Sequence, residues 1–505
     1  MLDLQLGELT AAGPEGVDDA LGLVDGFDGA LAHGFARIGE EPAAALAALA
    51  GAMAGGPLGE RAAEAVDKVI AGSIGDEHLA VLAGARAALT GAVHDALLTR
   101  LDTALHRERA PWEAVPATGA VPSGSAQATD AVPSGSAQAT DAVPSGSAPT
   151  SGAKLPGSAP TSGAELPGNL LAGCRAWLRE LAIAGWRGVD HDVVAPSDQA
   201  IEALLAVPSL RGLAVLLDGL AAELRASCPV STMDRLPARR WGDLWTRGVL
   251  LSRSGPWHGG AEPVSGRLLI LGADVHEHAT VVRAQVHGIL EPAGGGPARL
   301  VRTGVAAAKV DTIVGPAVWR LMSGHPVLLG ALAGHRALDL TDMPLLPGGD
   351  LLWHDDRAAA GEEADPFTTA RVLLGAAQAA PVPPLDRHPV RIAEPVLVEG
   401  YKIDGGALEL GGSRIALDLD RLPTGTPLTP ELVAASSACL GLVRWDGRWL
   451  LQPLAVQATV KKKPVTAHTG DWALGPTDPK VVKAEAKAGD AVAVLRERAG
   501  RLLRK

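Results

Sequence analysis

Leu440 to Val460 reads LGLVRWDGRWLLQPLAVQATV, in which two apolar runs, LGLVRW and RWLLQPLAVQATV, flank Asp446-Gly447. That residue pair supplies the positive φ that a two-residue hairpin turn requires, so the stretch predicts an antiparallel hairpin with Trp445 and Trp449 close together at its tip. Working upstream, Arg267 to Gly272 is a short apolar run, and Val282 to Gly288 alternates apolar residues with Arg283, Gln285 and His287, as a half-buried strand should. Leu300–Gly304, Val310–Val314, Val390–Val398, Ala407–Leu410 and Arg414–Leu419 continue the pattern, with helices near Pro316–Met322 and Pro366–Ala379. Such short, turn-rich strands fit one or two small antiparallel β barrels or sandwiches over residues 256–475, whereas a parallel sheet would want a regular alternation of strands and helices.

Upstream of these strands the period changes. Residues 169–255 predict helices at Leu170–Ala184, Ser197–Leu205, Ser209–Ser227 and Arg235–Ser252, with Ser197 and Ser209 as N-caps. Residues 1–111 are rich in alanine and predict a helical bundle: Val17–Ile38, Pro42–Met53, Leu58–Ala71 and Asp76–Arg109. In the last of these, Leu79, Leu82, Ala85, Leu89, Val93, Leu97, Leu101 and Leu105 form an apolar stripe that a bundle could bury. The fold class expected is therefore α+β and multidomain.

Between the two helical stretches, residues 112–168 read as a disordered spacer. AVPSGSAQATD (Ala120–Asp130) is repeated letter for letter (Ala131–Asp141) and drifts into SAPTSGAKLPG (Ser147–Gly157) and SAPTSGAELPG (Ser158–Gly168). With hardly a large apolar side chain, this segment cannot offset the roughly 1–2 kcal/mol per residue of backbone entropy that ordering costs. A proline in every unit excludes a continuous helix. The expectation is two bodies on a tether, an acidic bundle and a tryptophan-rich partner.

Charge divides along the same line. The chain carries 45 Lys plus Arg against 57 Asp plus Glu, a net charge of −12, which repels nucleic acid and anionic membrane at long range. Residues 1–70 hold twelve acids and three bases, while Lys480–Lys505 holds eight bases and three acids. The tail over residues 476–505 reads as a basic amphipathic helix, with Val492, Leu495, Ala499 and Leu502 on one side; the match between this end and the acidic N-terminal part is a candidate contact. No apolar run is suited to spanning a membrane. The three cysteines, Cys174, Cys228 and Cys439, lie far apart without a CxxC pair, which argues against a disulfide framework and for a reducing cytoplasm.

Few residues point to chemistry. Asp274, His276 and His278 in ILGADVHEHATVV satisfy D-x-H-x-H, whose histidines would project to one side of a strand as in metal-dependent amidohydrolases. The later lysine, histidines and aspartate lack the rhythm of a (β/α)8 barrel, so surface histidines at a turn are the competing reading. Asp190-His191-Asp192 and His354-Asp355-Asp356 combine bases with carboxylates in loop contexts, and Gly294-Gly295-Gly296 lacks the Lys-Ser/Thr of a phosphate loop. RLPARRWGDLWTRGVLL (Arg235–Leu251) sets Trp241 and Trp245 on one helix face, with Arg239 and Arg240 largely around the other. Exposed, these four would be a partner-binding surface; buried, the tryptophans would be core.

This helix and the LVRWDGRWLLQPLAV hairpin resemble segments of uncharacterised actinobacterial proteins encoded beside MoxR-type ATPases, von Willebrand A-domain proteins and SWIM zinc-finger proteins. The C-x-C and C-x-H pairs of a SWIM finger are absent, so no zinc ligands carry over. The resemblance implies an accessory component of an ATPase-linked assembly. The sequence as a whole predicts a non-enzymatic adaptor or scaffold with protein partners, no cofactor and no nucleic acid. The alternatives are a metal-dependent hydrolase at Asp274, His276 and His278, and a nucleic-acid binder using a small barrel and the basic tail.

Overall fold

A computed structural model describes residues 6–10, 13–112, 168–254, 260–278 and 280–502. The spacer reading between Trp112 and Gly168 lies outside the described residues. Ten helices precede the first strand in the described part: α1 (Leu6–Thr10), α2 (Val17–His33), α3 (Glu40–Ala52), α4 (Gly59–Ile70), α5 (Asp76–Ala104), then α6 (Gly168–Ala184), α7 (His191–Val194), α8 (Pro196–Leu205), α9 (Arg211–Ser227) and α10 (Ala238–Ser254). The apolar periodicity places most of them within a few residues of expectation. The expected caps do not hold. Pro196 takes the first helical position, for which its missing N–H is suited, so α8 begins before Ser197 and encloses it with its Oγ unpartnered; Ser209 sits inside a 3₁₀ turn, Pro208–Leu210.

The expected pair of bodies is corrected by the packing, because residues 1–112 and 169–505 form one compact unit. The apolar stripe of α5 is wider than α2 and α4 can cover, and α10, from beyond the spacer, packs against both α2 and α5. Phe27 of α2 meets Trp245 of α10 with ring centroids 6.3 Å apart. At Gly34 (φ 87°) and Gly185 (φ 66°) the two segments touch through backbone, and a Cβ on Gly185 would lie 2.2 Å from the Gly34 nitrogen. Phe35 N–H donates to the Ala182 carbonyl at 2.8 Å. Arg86 of α5, fully buried, donates to Asp28 at 2.7 and 2.8 Å and to the Arg239 carbonyl at 3.0 Å. Helix α5 is long and apolar enough by composition to cross a membrane, but 67% of its apolar window is buried within the protein.

The strands form two mixed sheets. The first is built from β1 (Glu262–Glu277), β2 (Val281–Pro292), β3 (Arg299–Ala308), β4 (Arg336–Leu345), β5 (Asp350–Leu351) and β6 (Ala358–Glu363), ordered β1-β2-β3-β5-β4-β6, with β4 pairing β1 as well. Helices α11 (Ala317–Leu321), α12 (Pro326–Ala333) and α13 (Pro366–Leu373) are inserted along it. The second holds β7 (Ala393–Glu399), β8 (Lys402–Asp404), β9 (Ala407–Leu410), β10 (Ser413–Leu417), β11 (Ser436–Trp445), β12 (Trp449–Val460) and β13 (Lys463–His468), ordered β7-β11-β12-β10-β9-β8 with β13 on β12; α14 (Pro430–Ala434) precedes β11. Purely antiparallel pairing was expected; β3 pairs β5 and β10 pairs β12 in parallel. Val310–Val314 is a turn rather than a strand, closed by Ile313 N–H on the Val310 carbonyl and followed by Gly315 at φ 63°.

The hairpin is as read, with one difference. Trp445 faces Trp449 directly, rings 5.1 Å apart, so the loop has three residues, with Gly447 at φ 69° in the left-handed position. Leu271, Ile289 and Leu300 of the first sheet meet Leu397, Leu440 and Ala455 of the second, with Phe367 and Leu374 beside them. The C-terminal half of α5 enters the core of the second sheet, where Val93, Leu97 and Leu101 join Val396, Val443 and Leu451. Ahead of the spacer, Arg107 and Arg109 reach Glu394 on β7 at 3.0 Å each. Burial raises the Glu394 carboxyl, but the two guanidiniums hold it below its ordinary value.

Among the described residues, no ion pair joins the basic end to the N-terminal acids. Helices α15 (Pro479–Ala488) and α16 (Ala491–Leu502) lie on the first sheet's side: Val492 is buried in its core, Arg320 pairs with Glu485 and Asp490, and Arg496 donates to the Arg320 carbonyl. Asp25 pairs with Arg239 and Asp28 with Arg86. The tail is thus docked through its own acids and its apolar side, and two of the N-terminal acids are paired with nearer arginines.

Candidate functional site

Asp274, His276 and His278 follow one another on and just beyond β1, where alternate residues are about 6.6 Å apart. Asp274, beyond the break in the β1–β2 register between Ile270 and Gly272, meets the second sheet. There Gln452 donates to its Oδ1 at 2.7 Å and Arg444 to its Oδ2 at 3.4 Å. His276 and His278 stack edge to face, centroids 4.7 Å apart, and both are exposed. The carboxylate is engaged in joining two sheets, and the three do not converge as a donor set.

The four residues of the α10 surface are engaged internally as well. Trp241 and Trp245 are buried, their indole N–H groups donating to Glu223 at 3.1 Å and to the Leu178 carbonyl at 2.8 Å. Arg239 donates to Asp25 at 2.6 Å and Arg240 to Glu223 at 2.9 Å. The Trp face is core, and each guanidinium is paired. Asp190 caps α7 by accepting from Asp192 and Val193, and Asp355 accepts from Val327 N–H at 3.0 Å. Burial pushes the Cys174 thiol up to about 11 and the Cys439 thiol up to about 12, which keeps both protonated and inert.

A surface that sequence reasoning missed lies between α6 and α8. It is an open groove of about 730 Å³, with Trp177, Ile183, Val193 and Ala200 among its apolar lining and Glu180, Asp190 and Asp192 as its charged residues; among the described residues no base lines it. The three acids are exposed, Glu180 on α6 and Asp190 and Asp192 two residues apart at the start of α7. The available signal was the small-residue face of α6 and α8, Gly173, Ala176, Ala200 and Ala203, which leaves space where larger side chains would have filled it.

A second missed feature is a cluster of His335, His468 and Asp471, whose donor atoms all lie within 4.8 Å of one another. It is the one group of this kind among the described residues. The hydrogen bond to Asp471 raises the His335 pKa, whereas burial pushes that of His468 down to about 4. No protein-family model, curated protein or solved structure matches the chain. The functional reading rests on this geometry.

Proposed function

We propose that the chain is a non-enzymatic adaptor that holds a partner protein by an apolar, basic-flanked segment seated in the groove between α6 and α8. The observation that carries the proposal is an apolar floor bordered, among the described residues, by three acids and no base. A small-molecule site of this size would want polar groups converging on the ligand. Acids on α6 and at the start of α7 suit the lysines and arginines of a peptide, adding steering and register to apolar burial. The resemblance of α10 and the hairpin to ATPase-associated proteins supports an ATPase-linked assembly as the setting, and the three unpaired cysteines suit the cytoplasm. In the same reading the first sheet is a small barrel that serves as a rigid base, a reading supported by the pairing of β4 with β1. The engaged carboxylate of Asp274 weighs against a hydrolase there, and the docked basic tail weighs against nucleic acid.

The test is a titration of full-length protein with a labelled amphipathic Leu/Lys peptide and its Leu/Glu counterpart, read by fluorescence anisotropy. The Leu/Lys peptide binds, the Leu/Glu peptide does not, and Ala176→Arg, which places a charged chain in the groove, abolishes binding. Equal affinity of wild type and Ala176→Arg for the Leu/Lys peptide sinks the proposal.

A further inference from the structure

We infer that His335, His468 and Asp471 form a binding site for a single divalent transition-metal ion of the zinc type. Three segments far apart in sequence build it. His335 follows the C-terminus of α12, His468 ends β13, and Asp471 lies in the turn after it. His335 Nε2 is 2.7 Å from Asp471 Oδ1, the two imidazole centroids are 4.3 Å apart, and the other carboxylate oxygen accepts from the His468 backbone N–H at 2.9 Å. Donors around a tetrahedral zinc ion at about 2.0–2.2 Å lie roughly 3.3 Å from one another. The set is therefore within about 1.5 Å of ligation. His335 and Asp471 retain side-chain exposures of 36% and 20%, which leaves them room to close and leaves the ion an approach.

Two further observations separate this cluster from an ordinary His–Asp pair. His468 is only 4% exposed, yet its Nε2 has no hydrogen-bond partner among the described residues. A buried polar atom left unpaired is costly, and an ion held there would satisfy it. His335 adopts φ 46°, a conformation uncommon for a residue with a Cβ, and its carbonyl is held there by Ala364 N–H at 2.7 Å. The backbone is thus fixed in the turn that brings the imidazole onto Asp471. Phe367, 5.7 Å from the His468 ring, walls the inner side. Two imidazole nitrogens with one carboxylate oxygen favour Zn²⁺, Co²⁺ or Fe²⁺ over Mg²⁺ or Ca²⁺, which take oxygen sets. Three protein ligands leave a fourth position open toward solvent.

Full-length protein stripped with EDTA is titrated with ZnCl₂ by calorimetry and with Co²⁺ by visible absorption. One equivalent binds, and Co²⁺ gives the intense d–d bands of a tetrahedral site. Asp471→Asn, which still accepts from the His468 N–H, and His335→Asn, which tolerates the left-handed backbone, each weaken zinc binding at least 100-fold and remove the Co²⁺ bands. The double variant His276→Ala/His278→Ala binds as wild type does. Thermal melts of Asp471→Asn and His335→Asn near that of metal-free wild type establish that the fold is kept. Less than half an equivalent of zinc on wild type, d–d bands that persist in Asp471→Asn, or loss of binding in the His276/His278 variant overturns the inference. The groove between α6 and α8 is independent of each of these outcomes.

Discussion

Replacing Arg86 by alanine should destabilise the tryptophan-bearing side of the molecule, although Arg86 precedes the spacer and ten of the eleven tryptophans follow it. Arg86 is fully buried and Asp28, its partner, is 1% exposed. Removing the guanidinium leaves a buried carboxylate without a counter-charge, a change that costs about 3–5 kcal/mol where the carboxylate has to stay ionised. The ceiling follows from protonation. Asp28 already has its pKa pushed up to about 6 by burial, with Arg86 opposing, and without Arg86 it rises further. At pH 7 the variant can always escape by taking up a proton, and because the wild-type carboxyl already sits near 6, this caps the added electrostatic penalty at about 1.4 kcal/mol for the one unit between 6 and 7. The carboxyl is protonated in both proteins well below 6, so the added penalty is absent there and grows as pH rises above the wild-type folded value. At pH 5 it has all but vanished, leaving mainly the lost packing of the Arg86 stem. Urea unfolding followed by tryptophan emission at both pH values measures the difference. Asp28→Leu/Arg86→Met should recover most of the loss, since apolar residues of similar size often replace a buried pair at little cost. An unmoved tryptophan transition in Arg86→Ala would refute the shared core, and equal destabilisation at pH 5 and pH 7 would refute the electrostatic argument.

Three further outcomes follow from the same packing. Gly242→Ala should destabilise by about 1–3 kcal/mol in chemical denaturation despite alanine's helix preference of about 1 kcal/mol, because its Cβ would lie 2.3 Å from Asp28 Oδ1; a stabilised variant would contradict this geometry. His287 and His388 are each pushed by burial down to about 4, so unfolding binds protons between that value and 6.5: stability present above pH 6.5 is lost as pH falls toward 4, by up to about 3 kcal/mol per residue, and His388→Gln should flatten the acid limb of the stability curve. Residues 1–112 and 169–505 expressed as separate chains should co-purify and remain together in 1 M salt, which screens the exposed Arg239–Asp25 pair but not the Phe27–Trp245 contact; dissociation in salt would mean that surface charge holds them.

Local pattern made the helices and the Trp445–Trp449 hairpin legible, because each is specified within a few turns of chain. Partnership across distance was not. A two-residue strand such as β5 has no periodicity to read, and its parallel pairing with β3 depends on Asp350 meeting Arg302, 48 residues away in sequence. The joining of the two helical stretches left one trace: Arg86 lies four residues after Leu82 and four before Thr90, a charge on the face expected to be buried. Such a residue asks for a partner, and Asp28 was available only once the fold was known. The same holds for the candidate metal ligands. His335 and Asp471 are 136 residues apart with no motif spacing, whereas Asp-x-His-x-His at Asp274 has the spacing without the convergence.

The adaptor reading meets its most direct test in a photo-crosslinking amino acid placed at Ala176 in the groove, with the protein expressed in its native cell and the crosslinked peptide sequenced. The account predicts a crosslink to one partner protein through a segment that combines leucine-type residues with lysine or arginine. A crosslink confined to residues 113–167 of the same chain, or none above that of an exposed control position such as Val215, would contradict it.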